Sequence, residues 1–187
     1  MRRRDLLFAM VAGIFAPRAD AQQSDLWPAL EAGGLAILLR HAQTEPGIGD
    51  PPGFRVGDCS TQRNLSAEGR MQAQRIGAAL AARRIRIDQV LSSQWCRCLD
   101  TARLAFPGSA VEPYPALNSF FDDRSTQPQQ TREALARIAA IRAPANVVFV
   151  THQVNILALS GAAVGSGEAV LLRPVSGGAP VLGRLVL

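Results

Sequence analysis

The stretch LAILLRH, residues 35–41, joins a continuous apolar run to an arginine and a histidine. An unbroken apolar run of this length is typical of a strand that is covered on both faces of a sheet. The chain then turns polar, and residues 42–63 are rich in glycine, proline and polar side chains. Long connections of this kind often carry function. The stretch therefore predicts a buried strand that delivers Arg40 and His41 to a functional loop.

Two further predicted strands end in the same kind of residue. Residues 87–93 read IDQVLSS and are followed, four residues after Ser93, by Arg97. Residues 146–152 read NVVFVTH and end in His152, the second of the two histidines of the chain. Ligands of open α/β sheets bind outside the carboxyl ends of the strands. We therefore expect all four basic side chains to face one crevice.

Helical patterns alternate with these strands. They cover residues 64–85, where Ser66 can cap a helix of about five turns, and residues 98–106, 130–143 and 154–163. A short strand at 110–114 and a closing hairpin around residues 176–178 complete the pattern. The alternation predicts an α/β fold, a three-layer sandwich with a mostly parallel central sheet and helices on both faces. The sequence shows no internal repeat and no second domain.

The composition limits the possible partners. Apolar residues make up 48% of the 187 residues, which is enough for a sizeable core. The formal net charge is +5, and all 20 basic residues are arginines. No basic run or aromatic stripe of the kind used for nucleic-acid binding is present, so we expect no nucleic-acid partner. The charge supports a mild preference for anionic ligands. The oligomeric state is left open.

The N-terminus has the pattern of a targeting segment. MRRRDLL provides a charged start, residues 6–16 are apolar, and Ala19-Asp20-Ala21 offers a cleavage site. Arg3-Arg4 resembles a twin-arginine export signal. An ordinary secretory signal or an anchoring helix is the alternative, although the apolar run is short for a bilayer. We predict a cleaved signal at 1–21, a domain at 22–187, a periplasmic or secreted location and no stable membrane insertion after cleavage.

Three cysteines are consistent with one disulfide and one free thiol in an oxidising compartment. Cys59 with Cys96 is the preferred pair, because a bond between Cys96 and Cys98 would close a very short, strained ring. A bond between Cys59 and Cys98 and three free thiols are the other possibilities.

Two arginines and two histidines in one crevice suit a phosphoryl group, because guanidinium groups match its terminal oxygens in pairs. Each residue alone has a structural explanation, since an arginine is usually a solvated surface charge. The joint arrangement, with both histidines at strand ends, favours a functional site for a small phosphorylated substrate.

The same residues carry a resemblance to the histidine phosphatase superfamily, the phosphoglycerate-mutase-like enzymes. LLRHAQT at 38–44 resembles the Arg-His-Gly motif of that family, and VLSSQWCRCLDTA at 90–102 resembles its Ser-Ser-x-x-x-Arg segment. NLSAEGRMQA at 64–73 resembles a helix start between the two, and VVFVTHQVNI at 147–156 resembles the segment around the second histidine. The motifs occur in order and span roughly residues 35–160.

The resemblance implies a role for each residue. His41 would be the nucleophile that forms a phosphohistidine, and Arg40, Arg97 and a protonated His152 would hold the phosphoryl oxygens. The arginines would supply the positive charge, so no metal and no cofactor are expected. The implied activity is that of a metal-independent phosphomonoesterase, with an envelope phosphosugar as a suggested substrate.

The chain departs from the family pattern at three positions. Ala42 replaces the glycine after the first histidine, and Gln153 replaces the aspartate that follows the second histidine in the phytase-like branch. Ser119 stands where mutase-like members have a glutamate, and serine is a poor general acid. We therefore predict Asp122 as the acid, with Asp123 and Glu45 as the other candidates.

Three other functions compete with this prediction. A phosphate-binding or phosphosugar-binding protein of the same fold would keep the arginines and lack turnover, and Ser119 is its best support. A metal protein would use both histidines with Cys96 and Cys98, although Cys-x-Cys is not a strong zinc spacing. A serine hydrolase lacks the Gly-x-Ser-x-Gly elbow after a strand.

Overall fold

A six-stranded sheet forms the centre of the molecule in a computed structural model that describes residues 26–187. The strands are β1 (Ala36–Arg40), β2 (Gln89–Ser92), β3 (Val111–Pro113), β4 (Val147–Thr151), β5 (Ala169–Leu172) and β6 (Val181–Leu185). They follow the order β3-β2-β4-β1-β5-β6; β1 to β4 are parallel to one another, and β5 runs antiparallel to both of its neighbours, β1 and β6. The mostly parallel sheet is thus confirmed, while the predicted signal at 1–21 lies outside the described residues.

Within residues 26–187, five α-helices cover both faces of this sheet. They are α1 (Leu26–Ala32), α2 (Ala67–Ala82), α3 (Cys96–Ala105), α4 (Gln127–Ala139) and α5 (Gln153–Ser160). Alternation along β1 shows how the layers form: Ile37 and Leu39 pack with α1, α2 and α3, whereas Leu38 packs with α4 and α5. Side chains of a strand point alternately to its two faces, so a fully apolar strand joins two cores. The three-layer sandwich is confirmed.

The predicted and the observed helix boundaries agree best where a capping residue is present. Ser66 caps α2 as predicted, and its hydroxyl accepts a hydrogen bond from the Gly69 N–H. Helix α4 begins three residues earlier than predicted, because Pro128 is well tolerated in a first turn, where its missing N–H is not needed. Helix α5 ends at Ser160 and not at residue 163, because Gly161 takes a left-handed conformation with φ 71°.

Two glycines let helix α2 approach its neighbours closely. A Cβ on Gly77 would lie 1.8 Å from the carbonyl oxygen of Ala105 in α3, and a Cβ on Gly69 would lie 1.8 Å from that of Gln43. Any larger residue would therefore push α2 away from α3 and from the segment after β1. This packing holds α2 against the last turn of α3 and against the segment that follows β1.

The strand order places three carboxyl ends side by side. Strands β2, β4 and β1 are neighbours, so the residues that follow them share one edge of the sheet. Among residues 26–187, no helix combines the length and the apolar composition needed to cross a bilayer.

Candidate active site

His41 follows β1 directly, and hydrogen bonds from its backbone and from its ring hold it in place. Its backbone N–H donates to the Thr151 carbonyl at 3.0 Å, which extends the pairing of β1 with β4 by one residue. Its Nδ1 lies 2.9 Å from the carbonyl oxygen of Ala42. A carbonyl oxygen can only accept, so Nδ1 carries the proton and Nε2 keeps a lone pair. The ring therefore has the tautomer that a nucleophilic Nε2 requires.

The surroundings of His41 keep its ring neutral. The side chain is buried, and burial together with the nearby Arg97 lowers its pKa to about 3. The contact with Ala42 opposes this shift without reversing it. At neutral pH, the ring is therefore available as an uncharged nitrogen base.

His152 lies beside His41, with the two ring centroids 5.5 Å apart. Its Nδ1 is 3.4 Å from Nη2 of Arg97, and its Nε2 is 2.9 Å from the Ser93 hydroxyl. A guanidinium only donates, so Nδ1 of His152 accepts and Nε2 carries the proton. Burial and Arg97 hold the pKa of His152 well below its ordinary value. These surroundings favour a neutral ring, and the protonated His152 that the family resemblance implies stays a prediction for the site that holds a phosphoryl group.

Arg97 lies in the first turn of α3 and is anchored by a buried carboxylate. Its Nη1 donates to both oxygens of Asp50, at 2.8 and 3.1 Å, and the exposed fractions of the two side chains are 5% and 3%. Asp50 also accepts from the indole N–H of Trp95 and from the backbone N–H of Arg63, both at 2.9 Å. Burial alone would raise the pKa of Asp50, but these hydrogen bonds outweigh it and lower the pKa.

Two more guanidinium groups complete the basic cluster. Arg40 donates from Nη1 to the Val164 carbonyl at 2.7 Å, and burial followed by the charge of Arg63 lowers its pKa. Arg63 donates to the Gly49 carbonyl at 2.8 Å and to the Thr44 hydroxyl. Three guanidinium groups thus lie in the cavity that contains both histidines, and that of Arg97 is paired with the carboxylate of Asp50.

Some donors of this cluster have no partner. The Nε atoms of Arg40 and Arg97 are buried and make no hydrogen bond within residues 26–187. An unsatisfied buried donor costs on the order of 1–3 kcal/mol. Local costs of this kind are expected at functional sites, where the arrangement serves a ligand and not only stability.

The four predicted basic residues of the site line one cavity of about 540 Å³. Arg40, His41, Arg97 and His152 are therefore brought together as expected. Asp122 also lines this cavity.

The other candidate acids occupy different positions. Glu45 lines the cavity, as does Ser119, the residue that replaces the family glutamate. Asp123 is not among the lining residues, and its carboxylate accepts a hydrogen bond from the Ser125 N–H at 3.0 Å. Hydrogen bonds from the side chain and from the backbone N–H of Ser125 lower the pKa of Asp123, so less of it is protonated at neutral pH and able to act as a general acid.

A disulfide connects the loop at 42–66 to the first residue of α3. It joins Cys59 to Cys96, as predicted, with the Cα atoms 5.6 Å apart, while Cys98 is a buried free thiol. Burial raises the pKa of Cys98 to about 12. Gln62 supports the same junction, because its side-chain oxygen accepts from the Cys96 N–H at 2.9 Å. The oxidised Cys96 has no thiolate to offer a metal ion, which removes one ligand of the alternative metal site.

Asp50 and Arg63 are the site residues that the sequence analysis missed. Both lie in the long loop after β1 and both line the cavity. The only available signal was the predicted functional importance of that loop. Their position depends on contacts that close the loop on itself and on α3, and such contacts have no sequence periodicity.

Comparison with known proteins shows a similarity that includes the residues of this site. The model of the histidine phosphatase superfamily (branch 1) matches residues 36–120, which include Arg40, His41 and Arg97. A comparison with curated protein sequences gives no match.

Solved structures share the fold at low sequence identity. The α-ribazole phosphatase from Shigella flexneri is 20% identical with a TM-score of 0.57, and the match covers 79% of this chain and 94% of that one. The mycobacterial glucosyl-3-phosphoglycerate phosphatase Rv2419c is 18% identical with a TM-score of 0.56, covering 74% and 89%. YhfR from Bacillus stearothermophilus is 16% identical with a TM-score of 0.57, covering 79% and 94%.

Proposed function

Because this chain belongs to the histidine phosphatase superfamily, we propose that it is a metal-independent phosphomonoesterase that forms a phosphohistidine on His41. The observation that carries the proposal is the neutral Nε2 of His41 in a cavity that also contains three guanidinium groups. Arg40, Arg97 and His152 are the residues that hold the phosphoryl oxygens. The names of the structural neighbours, which include two phosphatases, support phosphate ester hydrolysis as the reaction type.

In the first step, the lone pair on Nε2 of His41 attacks the phosphorus atom as the P–O bond to the alcohol breaks. A carboxylic acid gives its proton to the departing oxygen, so the products are a free alcohol and a phosphohistidine. Nδ1–H stays bonded to the Ala42 carbonyl and keeps the ring oriented. The guanidinium groups offset the charge that develops on the phosphoryl oxygens.

In the second step, water attacks the phosphorus atom and the N–P bond breaks. The carboxylate that donated the proton now accepts one from the water, so inorganic phosphate leaves and neutral His41 is restored. A bound dianion beside His152 raises the pKa of that ring. His152 can then become protonated when the phosphoryl group is present.

Asp122 is the proposed acid because it lines the cavity, whereas Asp123 does not. D122N should lower kcat for an alkyl phosphate by about 10²–10⁴-fold. It should affect 4-nitrophenyl phosphate much less, because nitrophenolate leaves without protonation. D123N is the matched control, since it removes the adjacent carboxylate. A loss that follows E45Q and not D122N would assign the role to Glu45.

Release of phosphate from 4-nitrophenyl phosphate, without added metal and with a chelator present, tests the activity itself. We expect turnover by the wild type, none by H41A, and a large rise in KM for R97A. R103A is the matched control for R97A, because Arg103 lies on the same helix with its side chain exposed. A fully active H41A protein would contradict the nucleophile assignment.

A phosphate-binding protein of the same fold is the second candidate, and Ser119 at the glutamate position is the observation that favours it. Such a protein would bind inorganic phosphate and release none from any ester. For the location, we propose export to the periplasm or the medium, which the N-terminal pattern and the Cys59–Cys96 disulfide support. An envelope phosphosugar remains the substrate that the family resemblance suggests.

A further inference from the structure

Three large apolar side chains surround the mouth of the cavity and are exposed. Ile48, Phe121 and Leu157 have exposed fractions of 91%, 50% and 49%, and all three line the cavity that contains His41. One exposed apolar residue is ordinary on a protein surface. Three exposed apolar side chains that line one cavity are less ordinary, and we call this set the apolar rim.

The rim is assembled from three separate parts of the chain. Ile48 belongs to the loop after β1, Phe121 to the connection before α4, and Leu157 to α5. The first two parts approach each other, because a Cβ on Gly49 would lie 4.0 Å from the ring of Phe121. Val154, one turn before Leu157, lines the same cavity. Convergence from independent segments indicates that the rim belongs to the cavity and is not a single stray side chain.

The cavity thus has two chemically different ends. The basic cluster, with His41 among Arg40, Arg63 and Arg97, can hold an anion, and the rim lies at the opening. A volume of about 540 Å³ is typical of a site for a whole small molecule and exceeds what a phosphoryl group alone fills. The cavity therefore has room for the remainder of the substrate, which is the leaving alcohol, to lie against the rim.

We propose that the substrate is the phosphomonoester of an apolar alcohol, with an alkyl or aryl group that packs on Ile48, Phe121 and Leu157. This inference rests on the proposed phosphatase activity. An apolar leaving group removes the exposed rim from water, which is favourable in proportion to the area buried. The hydroxyl groups of a sugar would find no hydrogen-bond partners on that apolar surface. Polar side chains such as Gln153 and Ser166 also line the cavity and would serve a sugar, so the sugar is the competing substrate.

A series of alkyl phosphates tests the proposal without changing the chemistry of the leaving group. The probes are ethyl, butyl and hexyl phosphate, whose alcohols have nearly equal acidity, with glycerol 1-phosphate and glucose 6-phosphate as polar comparisons. We expect kcat/KM to rise with chain length, by up to about fourfold for each methylene group that becomes buried. The polar esters should be hydrolysed no faster than ethyl phosphate.

Substitutions in the apolar rim test whether the rim causes this dependence on chain length. L157Q and F121S should each reduce the ratio of kcat/KM for hexyl phosphate to kcat/KM for ethyl phosphate by several fold. L135Q is the matched control, because Leu135 is also an exposed leucine on a helix and does not line the cavity. It should leave the ratio unchanged.

The possible results separate this proposal from the one on which it rests. Equal values along the alkyl series, or a preference for the sugar phosphate, would overturn the apolar substrate and leave the phosphatase intact. A chain-length effect that persists in L157Q and F121S would also overturn it. No hydrolysis of any ester, including 4-nitrophenyl phosphate, would overturn the phosphatase activity itself.

Discussion

His41 has two properties that depend on its immediate surroundings, a fixed tautomer and a lowered pKa. The pKa of about 3 in the folded chain is far below the value near 6.5 of an exposed histidine. Between these values the unfolded chain binds a proton that the folded chain does not bind. The folded state is therefore destabilised as the pH falls below about 6.5, and the loss continues until the pH reaches the folded value.

This difference predicts a pH dependence of stability. Between pH 7.5 and pH 5, His41 alone should remove about 2 kcal/mol from the free energy of unfolding, and His152 acts in the same direction. Urea unfolding at the two pH values measures the change, and H41Q should show a smaller one. A protein that is equally stable at both pH values would contradict the neutral buried ring.

Asp50 matters through Arg97 and is a positioning residue. In D50N, the guanidinium of Arg97 loses the charged acceptor that both fixes and neutralises it. We expect a loss of about 3 kcal/mol in the free energy of unfolding, since a buried cation without its partner is costly. Inhibition by inorganic phosphate should weaken by roughly tenfold, because the guanidinium is no longer aligned.

The control for D50N is D58N, in which the carboxylate of an exposed ion pair with Arg55 is removed from the same loop. It should change phosphate inhibition little. If D50N unfolds more easily but binds phosphate normally, Asp50 has a structural role alone.

At the scale of elements, the loop at 42–66 forms one wall of the site and is connected to α3 by the disulfide. Cys59 and Cys96 are 37 residues apart, so the cross-link removes substantial freedom from the unfolded chain. Reduction, or the double variant C59S/C96S, should lower the free energy of unfolding by about 4 kcal/mol in the chain-entropy account. KM should rise as well, because this loop carries Asp50 and Arg63.

A thiol count is the direct measurement for this prediction. The denatured oxidised protein should show one reactive thiol, and the folded protein none, because Cys98 is buried with its pKa raised to about 12. Three thiols in the denatured sample, prepared without reductant, would contradict the cross-link.

The elements differ in how well the sequence predicts them. Strands β1 and β4 are continuous apolar runs, and the residues that follow them were correctly expected to meet, because parallel neighbours end at one edge of a sheet. The predicted start of helix α4 is three residues later than the observed start, because Pro128 is compatible with either a first turn or a preceding loop. The sequence indicated a loop at 42–63 but not its conformation, because the loop is fixed by tertiary contacts of Asp50 with Arg97 and by the bond of Cys59 to Cys96.

At the scale of the whole molecule, the complete burial of β1 from Ala36 to Leu39 decides the architecture. Each strand of this kind supplies side chains to two cores, so helices are required on both faces. The four basic side chains of the proposed site then lie close together, because they follow the ends of three neighbouring strands. The overall pattern could not reveal the charge state of His152, because its pKa is lowered by burial in the folded chain and by three arginines from distant positions in the chain.

The central claim is that His41 carries the phosphoryl group during turnover. Its most direct test is rapid alkaline quenching of the protein during hydrolysis of 4-nitrophenyl phosphate labelled with phosphorus-32, followed by proteolysis and identification of the labelled peptide. The account predicts label on the peptide that contains His41, stable in alkali, lost in acid and absent from H41A. Continued release of labelled phosphate at every time point without label on that peptide would contradict it.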